Sequence, residues 1–353
     1  MRVHNFNPGP AALPLSVLER VQQELIDYRG TGMSIMEHSH RGKAYDEVHM
    51  GALALVREVL AVPASHEILF MQGGAHMQFA LLPMNFLRTS ADYVVTGGWA
   101  EKAAREAATV GKVKEAARAM GVRIPRVLSL DPKADYLHLT SNNTLEGTQW
   151  HDFPDSHGVP LVADMASDLF WRPIDVSRFA MIYACAQKNL GPSGLTIAII
   201  AKDFLDTART DLPETMRYSA YAKALSLYNT PPTFAIYVAR YVLEWMKEQG
   251  GLTAIEASNK EKARTLYGVL DELGSFYRSP VERDARSTMN VVFRLPSEEL
   301  DTRFIDEAKK RNIVGIKGHR SVGGMRASIY NAVSLESTRA LATFMREFAA
   351  QNA

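Results

Sequence analysis

The 353 residues carry 40 Lys plus Arg against 39 Asp plus Glu, a net charge of +1, and a single cysteine. Balanced charge leaves no footprint for nucleic acid or for an anionic membrane surface. One cysteine excludes an intramolecular disulfide and suits a reducing compartment. The N-terminus, M-R-V-H-N-F-N-P-G-P, has no apolar core of signal-peptide length, and no run reaches the ~18 apolar residues of a membrane span, so the expected location is the cytoplasm.

The length suggests two domains of roughly 150 residues or more. From Glu67 to about residue 200, short apolar runs alternate with helical patterns. Glu67–Met71 reads as a strand, followed by Gly73-Gly74 and a helix from about Met77. Asp92–Thr96 is a strand, then Gly97-Gly98 and a helix over Ala100–Ala108. Tyr136–Thr140, Leu161–Asp164, Met181–Ala184 and Leu195–Ala201 complete the strands. Continuous rather than alternating apolar character predicts a mostly parallel sheet covered on both faces, an α/β architecture. After Pro231-Pro232 come helices at Thr233–Lys247 and Leu252–Leu273, a strand at Met289–Leu295, a helix at Leu300–Arg311, a strand at Arg326–Tyr330 and a helix at Leu335–Ala350. We therefore expect a large domain over residues 1–255 and a smaller α+β domain over 256–353, with the first ~15 residues packing on the smaller one.

The unusual residue is Lys188, between an apolar run and a Gly-Pro-Ser-Gly turn. Lysine is seldom buried. A partly desolvated lysine has a lowered pKa and forms Schiff bases with aldehydes. The cofactor that uses such a bond is pyridoxal 5'-phosphate, PLP. PLP needs a phosphate cradle, an acid for its pyridine nitrogen and a flat group for its ring. Gly73-Gly74-Ala75-His76, between strand and helix, offers the cradle, although taken alone it reads more readily as a tight turn. Asp164, closing the strand L-V-A-D, offers the acid, or else an N-cap. Trp99 offers the ring, or else a core aromatic. Thr144, in S-N-N-T-L-E-G, can reach the cofactor's phenolic oxygen, or simply serve its turn.

Two basic clusters suit anions: His40 and Arg41 in H-S-H-R-G, and His319, Arg320 and Arg326 in K-G-H-R-S-V-G-G-M-R. Alone, each reads as solvated surface charge. The chain has no P-loop, no strand-linked G-x-G-x-x-G and no H-E-x-x-H, and no ligand set accompanies His38 and His40, so no metal is expected. Cys185 reads as an inert core thiol.

Together these pieces resemble the phosphoserine aminotransferases, in class V of the fold-type-I PLP aminotransferases. A-Q-K-N-L-G-P-S-G-L-T at 186–196, S-H-R-G-K at 39–43, P-I-D-V-S-R-F at 173–179, N-T-P-P-T-F at 229–234 and K-G-H-R-S-V-G-G-M-R-A-S-I-Y-N-A at 317–332 carry the likeness, which spans essentially the whole chain. It departs at Asn7-Pro8-Gly9-Pro10, where members often read Ser-Ser-Gly-Pro, and at Ala166, where a serine is common.

The resemblance implies a large domain with a mostly parallel seven-stranded sheet. Lys188 would link to PLP and move the substrate proton. Asp164 would pair with the pyridine nitrogen, Trp99 stack on the ring, and Thr144 bond the phenolic oxygen. Ala75, His76 and Gln187 would hold the phosphate. Asn229 and Thr230 would reach the phosphate of a neighbouring subunit, making a homodimer with shared sites. Arg326 would clamp the α-carboxylate. His40, Arg41, His319 and Arg320 would surround the distal anion of phosphoserine or glutamate. The implied reaction is amino transfer from L-glutamate to 3-phosphohydroxypyruvate, giving O-phospho-L-serine and 2-oxoglutarate in serine biosynthesis. Some bacterial members also serve pyridoxine biosynthesis, and the sequence leaves that open. Three rivals stand beside it. A cysteine desulfurase lacks its mobile loop cysteine here. An alanine–glyoxylate aminotransferase has no use for a distal anion site. A non-catalytic dimeric binding protein of the same fold has no use for both Lys188 and Asp164.

Overall fold

The computed structural model describes residues 2–352. The chain opens with a short strand, β1 (His4–Asn5), and helices α1 (Leu15–Glu24) and α2 (Lys43–Val59). Then come β2 (His66–Met71), α3 (Gly74–Phe86), β3 (Ala91–Val95), α4 (Gly98–Ala108), β4 (Val113–Arg118) and β5 (Leu137–Thr140). A small hairpin, β6 (Asn142–Asn143) and β7 (Thr148–Gln149), precedes β8 (Leu161–Asp164), β9 (Met181–Cys185) and β10 (Thr196–Ala201). Short helices α5 (Lys202–Asp206) and α6 (Tyr218–Lys223) lead to the long α7 (Thr233–Glu248) and α8 (Gly251–Glu272). The chain ends with β11 (Asn290–Phe293), α9 (Glu298–Lys310), β12 (Ile313–Val314), β13 (Met325–Ser328) and α10 (Leu335–Asn352).

Seven strands form one sheet in the order β2-β10-β9-β8-β5-β3-β4. Only β10 runs against its neighbours, pairing antiparallel with both β2 and β9. The other pairs, β9-β8, β8-β5, β5-β3 and β3-β4, are parallel. The sheet is thus the mostly parallel one that the apolar runs predict. Strand residues alternate between its faces. Ile197 and Ile199 join Leu137, Leu139 and Ile182 against α2 and α7. Ala198 and Ile200 join Tyr93, Val162 and Tyr183 against α3 and α4. Both faces are dry, which explains why these strands read as continuous apolar runs.

A third core gathers Phe6 with Leu266, Val269, Phe293, Phe304, Ala327, Phe344 and Phe348. Here β1 pairs in parallel with β12, and β11 pairs antiparallel with β13. Helix α9 is well specified locally. Ser297 caps it by accepting from Leu300 N–H, Glu298, Glu299 and Asp301 fill its first turn, and Lys309 and Lys310 its last. Those charges complement the helix dipole. Helix α3 starts at Gly74, three residues before the expected Met77. Gly73 and Gly74 take left-handed backbone, φ 90° and 65°, so the chain can turn straight from β2 into the helix.

Candidate active site

In a parallel sheet, ligands bind beyond the carboxyl ends of the strands. The ends of β2, β5, β8 and β9, with the start of α4, surround a cavity of about 500 Å³ at that edge. It contains most of the residues expected from the sequence: Ala75, His76, Trp99, Thr144, Asp164, Gln187, Lys188, His319 and Arg326. His40, Arg41, Asn229, Thr230 and Arg320 do not line it. Thr230 nevertheless lies near its edge, where its carbonyl accepts from Gln72 Nε2 at 3.0 Å, beside Gly73.

Lys188 follows β9 and turns its amine toward Thr144, donating to Oγ1 at 3.3 Å. The same threonine offers its carbonyl to the Arg326 guanidinium at 3.2 Å. Thr144 therefore ties the lysine to the arginine. The sequence separates these three residues widely, so that link was not legible in it. The expected depression of the Lys188 pKa is not what this pocket produces. Burial does pull it down, but Tyr330, Cys185 and Asp164 outweigh burial and hold the ammonium above the ordinary lysine value, with Arg326 opposing them. Desolvation alone lowers a lysine; desolvation among acidic groups does not.

Asp164 closes β8, opposite Thr140 on one side and Tyr183 on the other. It is buried and accepts from Ala166 N–H at 2.9 Å. Burial pushes its carboxyl up to about 6, while the Ala166 hydrogen bond and the Lys188 charge pull the other way and Asp168 adds to the rise. The second carboxylate, Asp168, is also buried and raised by burial. It is held by the Ser141 hydroxyl and by Gln149 Nε2 at 3.0 Å. Sequence reasoning missed it, because an aspartate in a polar post-strand turn carries no distinguishing pattern.

Trp99 stands in the first turn of α4, edge-on to His76 at 5.2 Å between ring centres. Glu146 accepts from Gly98 N–H at 2.8 Å and so caps that helix. A Cβ at Gly97 would lie 2.6 Å from Glu146 Oε2 and 2.7 Å from Asn143 Oδ1, so a larger residue there would have to push both side chains aside. Glu146 too was unforeseen; its partner lies far away in sequence. Both imidazoles are drawn below the ordinary histidine value: His76, although exposed, by partial desolvation and then Lys102, and His319 by burial and then Arg326 and Arg320. Arg326 is buried, and burial lowers it, but it stays a cation. Cys185 is buried as expected, yet it also touches the cavity, and burial raises its thiol.

The N-terminal segment reaches in as well. Pro8 and Gly9 line the cavity, and Ala11 N–H donates to Gln187 O at 2.9 Å. Among the described residues no group of three or more His, Cys, Asp or Glu could hold a metal.

A family model for class-V aminotransferases matches residues 3–341. The chain belongs to this family. A phosphoserine aminotransferase from Desulfosudis oleivorans is 53% identical over 358 residues, covering 99% of each chain. The solved structure of the phosphoserine aminotransferase of Bacillus circulans subsp. alkalophilus superposes with a TM-score of 0.97 at 49% identity, covering 100% of this chain and 99% of that one. A PLP-bound phosphoserine aminotransferase from Trichomonas vaginalis matches with a TM-score of 0.93 at 38% identity, covering 98% of this chain and 100% of that one.

The class-V cavity fits PLP on its own terms. Among the described residues no cation forms an ion pair with the Asp164 carboxyl, which burial pushes up to about 6, and a protonated pyridine nitrogen would supply one. No atom lies within 4 Å of where a Gly74 Cβ would stand, which leaves the start of α3 open to a phosphate. The Lys188 amine faces the same space.

Proposed function

We propose that this chain is a PLP-dependent transaminase that moves the amino group of L-glutamate to 3-phosphohydroxypyruvate, giving O-phospho-L-serine and 2-oxoglutarate in serine biosynthesis. The observation that carries the reading is the meeting of Lys188, Asp164 and Arg326 around one cavity. Relatives of this activity, about half identical over the full length, support it.

Bound PLP supplies an electron sink that labilises the proton on the substrate's Cα. Lys188 would hold the cofactor, and its amine would be the base placed to take up and return the substrate's Cα proton. Asp164 would pair as a carboxylate with the pyridine nitrogen and keep it protonated. Trp99 would stack on the ring, and the Thr144 hydroxyl would bond the phenolic oxygen. Backbone N–H groups of Ala75 and His76, with Gln187, hold the phosphate at the start of α3. Arg326 offers a planar fork to the α-carboxylate. His319 and Arg320, with His40 and Arg41, receive the distal anion that phosphoserine and glutamate share. One set of arginine and histidine donors thereby serves both half-reactions.

The same reading makes the enzyme a homodimer, in which Asn229 and Thr230 complete the neighbouring subunit's phosphate site. Exposed apolar side chains support it: Ile26 is 84% exposed, Met36 51% and Leu225 51%. We also assign residues 1–255 to a large PLP-binding domain and 256–353 to a small one, with β1 joined to the latter. The third hydrophobic core supports that division.

The test is a coupled assay. L-glutamate with 3-phosphohydroxypyruvate should yield 2-oxoglutarate and O-phospho-L-serine in equal amounts. Turnover of L-alanine with glyoxylate, in the absence of glutamate turnover, would replace this reading with the alanine–glyoxylate one.

A further inference from the structure

Helix α8 buries two polar side chains one turn apart, Asn259 and Lys262, at 1% and 0% exposure. Lys262 Nζ donates to three backbone carbonyls: Ile329 at 2.9 Å, Tyr330 at 2.7 Å and Val333 at 3.0 Å. All three lie in the stretch between β13 and α10. Burial pulls the Lys262 ammonium down to about 7. The acceptors favour the proton, because a neutral amine has two N–H bonds and an ammonium has three, one for each carbonyl. Several carbonyl oxygens around one buried positive charge are the ligand set of a monovalent cation.

The stretch that Lys262 gathers is tied to the active site on two sides. Asn331 accepts from Asn259 Nδ2 at 2.8 Å, donates its own Nδ2 to Phe170 O at 2.9 Å, and gives its backbone N–H to Asn189 Oδ1 at 3.1 Å. Asn189 directly follows Lys188 and also holds Leu169 O at 3.0 Å. Phe170 has φ 68°, a left-handed conformation rare outside glycine, and Asn331 anchors its carbonyl. Tyr330, within the gathered stretch, donates to Pro8 O at 3.0 Å at the cavity wall. The chain segments just past Asp164, Lys188 and Arg326 therefore converge on one buried polar knot.

We propose that Lys262 is a positioning residue: its ammonium occupies a carbonyl cage in place of a monovalent cation and, through Asn331 and Asn189, sets the placement of Lys188. This rests on the assignment of Lys188 as the residue that holds PLP. Coupling through a shared hydrogen-bonded element of this kind changes rates on the order of tenfold.

Two variants test it. Lys262→Met keeps the packing and removes the charge; Lys262→Ala empties the cage. In Lys262→Met, kcat should fall on the order of tenfold with KM little changed. The pH midpoint of the visible absorption of the PLP-loaded protein should also move away from that of the parent. In Lys262→Ala, the thermal midpoint of the cofactor-free protein should rise when potassium or ammonium chloride replaces choline chloride at equal ionic strength, while the parent is indifferent. Parent-like kcat and pH midpoint in Lys262→Met, whatever its stability, would overturn the proposal. So would a Lys262→Ala protein blind to the cation. If Lys262→Ala does not fold, Lys262→Met decides alone. A parent that takes up no PLP would instead count against the assignment of Lys188, and the thermal arm would still test the cage.

Discussion

Replacing Asp164 with asparagine should stabilise the cofactor-free protein and cripple the loaded one. An ordinary aspartate titrates near 3.8, and burial pushes this carboxyl up to about 6. Because its folded pKa is raised, the folded state binds the proton more tightly than the unfolded chain. Its contribution to stability is complete below about pH 4 and is lost as pH rises to about 6. At neutral pH the bare carboxylate then costs roughly 3 kcal/mol, at about 1.4 kcal/mol per tenfold change in the equilibrium. Asparagine is nearly isosteric and keeps an oxygen for Ala166 N–H, so the substitution removes that cost without opening a void. At about 2 cal/mol/K of unfolding entropy per residue, the cofactor-free midpoint should rise by roughly 4 °C at pH 7 and change little at pH 4. With PLP bound the balance reverses. Removing one partner of a buried charge pair costs about 3–5 kcal/mol, so kcat/KM should fall about 10²- to 10³-fold or more. The assays are thermal denaturation at pH 4 and pH 7, with and without PLP, and steady-state rates. A variant less stable than the parent at pH 7 without PLP would refute the burial argument. One with parent-like turnover would refute the role of Asp164.

Other outcomes follow from the same geometry. Arg326→Gln should raise KM for both L-glutamate and O-phospho-L-serine about 10- to 100-fold, as the loss of a charged hydrogen-bonding pair requires; a selective effect on one substrate in initial-rate assays would contradict a shared α-carboxylate clamp. Lys188 is held protonated above its ordinary pKa, and only the neutral amine attacks an aldehyde. Uptake of PLP by the cofactor-free protein should therefore quicken about tenfold per pH unit between pH 7 and 9 in stopped-flow absorbance. A flat profile would mean the amine is already free. Ile26→Asp should shift sedimentation toward monomer and weaken PLP retention together. A monomer that retains PLP as the parent does would argue against a phosphate site completed by the neighbouring subunit's Asn229 and Thr230.

The sheet was legible because burial on both faces writes a strand as an unbroken apolar run, as in T-I-A-I-I-A of β10. Edge strand β4, V-K-E-A-A-R, has only half such a pattern and escaped notice. Helix α3 begins at the glycines because its N-terminus points into the cavity rather than onto a core, so no apolar residue marks its start. Lys188, Asp164, Trp99 and Thr144 were legible by residue type at strand ends, and they do meet. What connects them was not: Thr144 bridging Lys188 and Arg326, Asp168 behind Ser141, Glu146 under Trp99, and Lys262 gathering carbonyls some 70 residues away. Each is a buried or half-buried polar group whose meaning depends on a distant partner, and a single chain of letters does not record partners. His40, Arg41 and Arg320 were grouped with the cavity by charge, but one chain does not bring them to its lining.

The most direct test is the visible absorption spectrum of the purified protein with PLP, followed by titration with O-phospho-L-serine, for the parent and for Lys188→Ala. The account predicts a yellow parent whose long-wavelength band falls as an ultraviolet band of the aminated cofactor rises. It predicts no such conversion in the variant. A parent that stays colourless with PLP, or a Lys188→Ala protein that converts phosphoserine as the parent does, would contradict it.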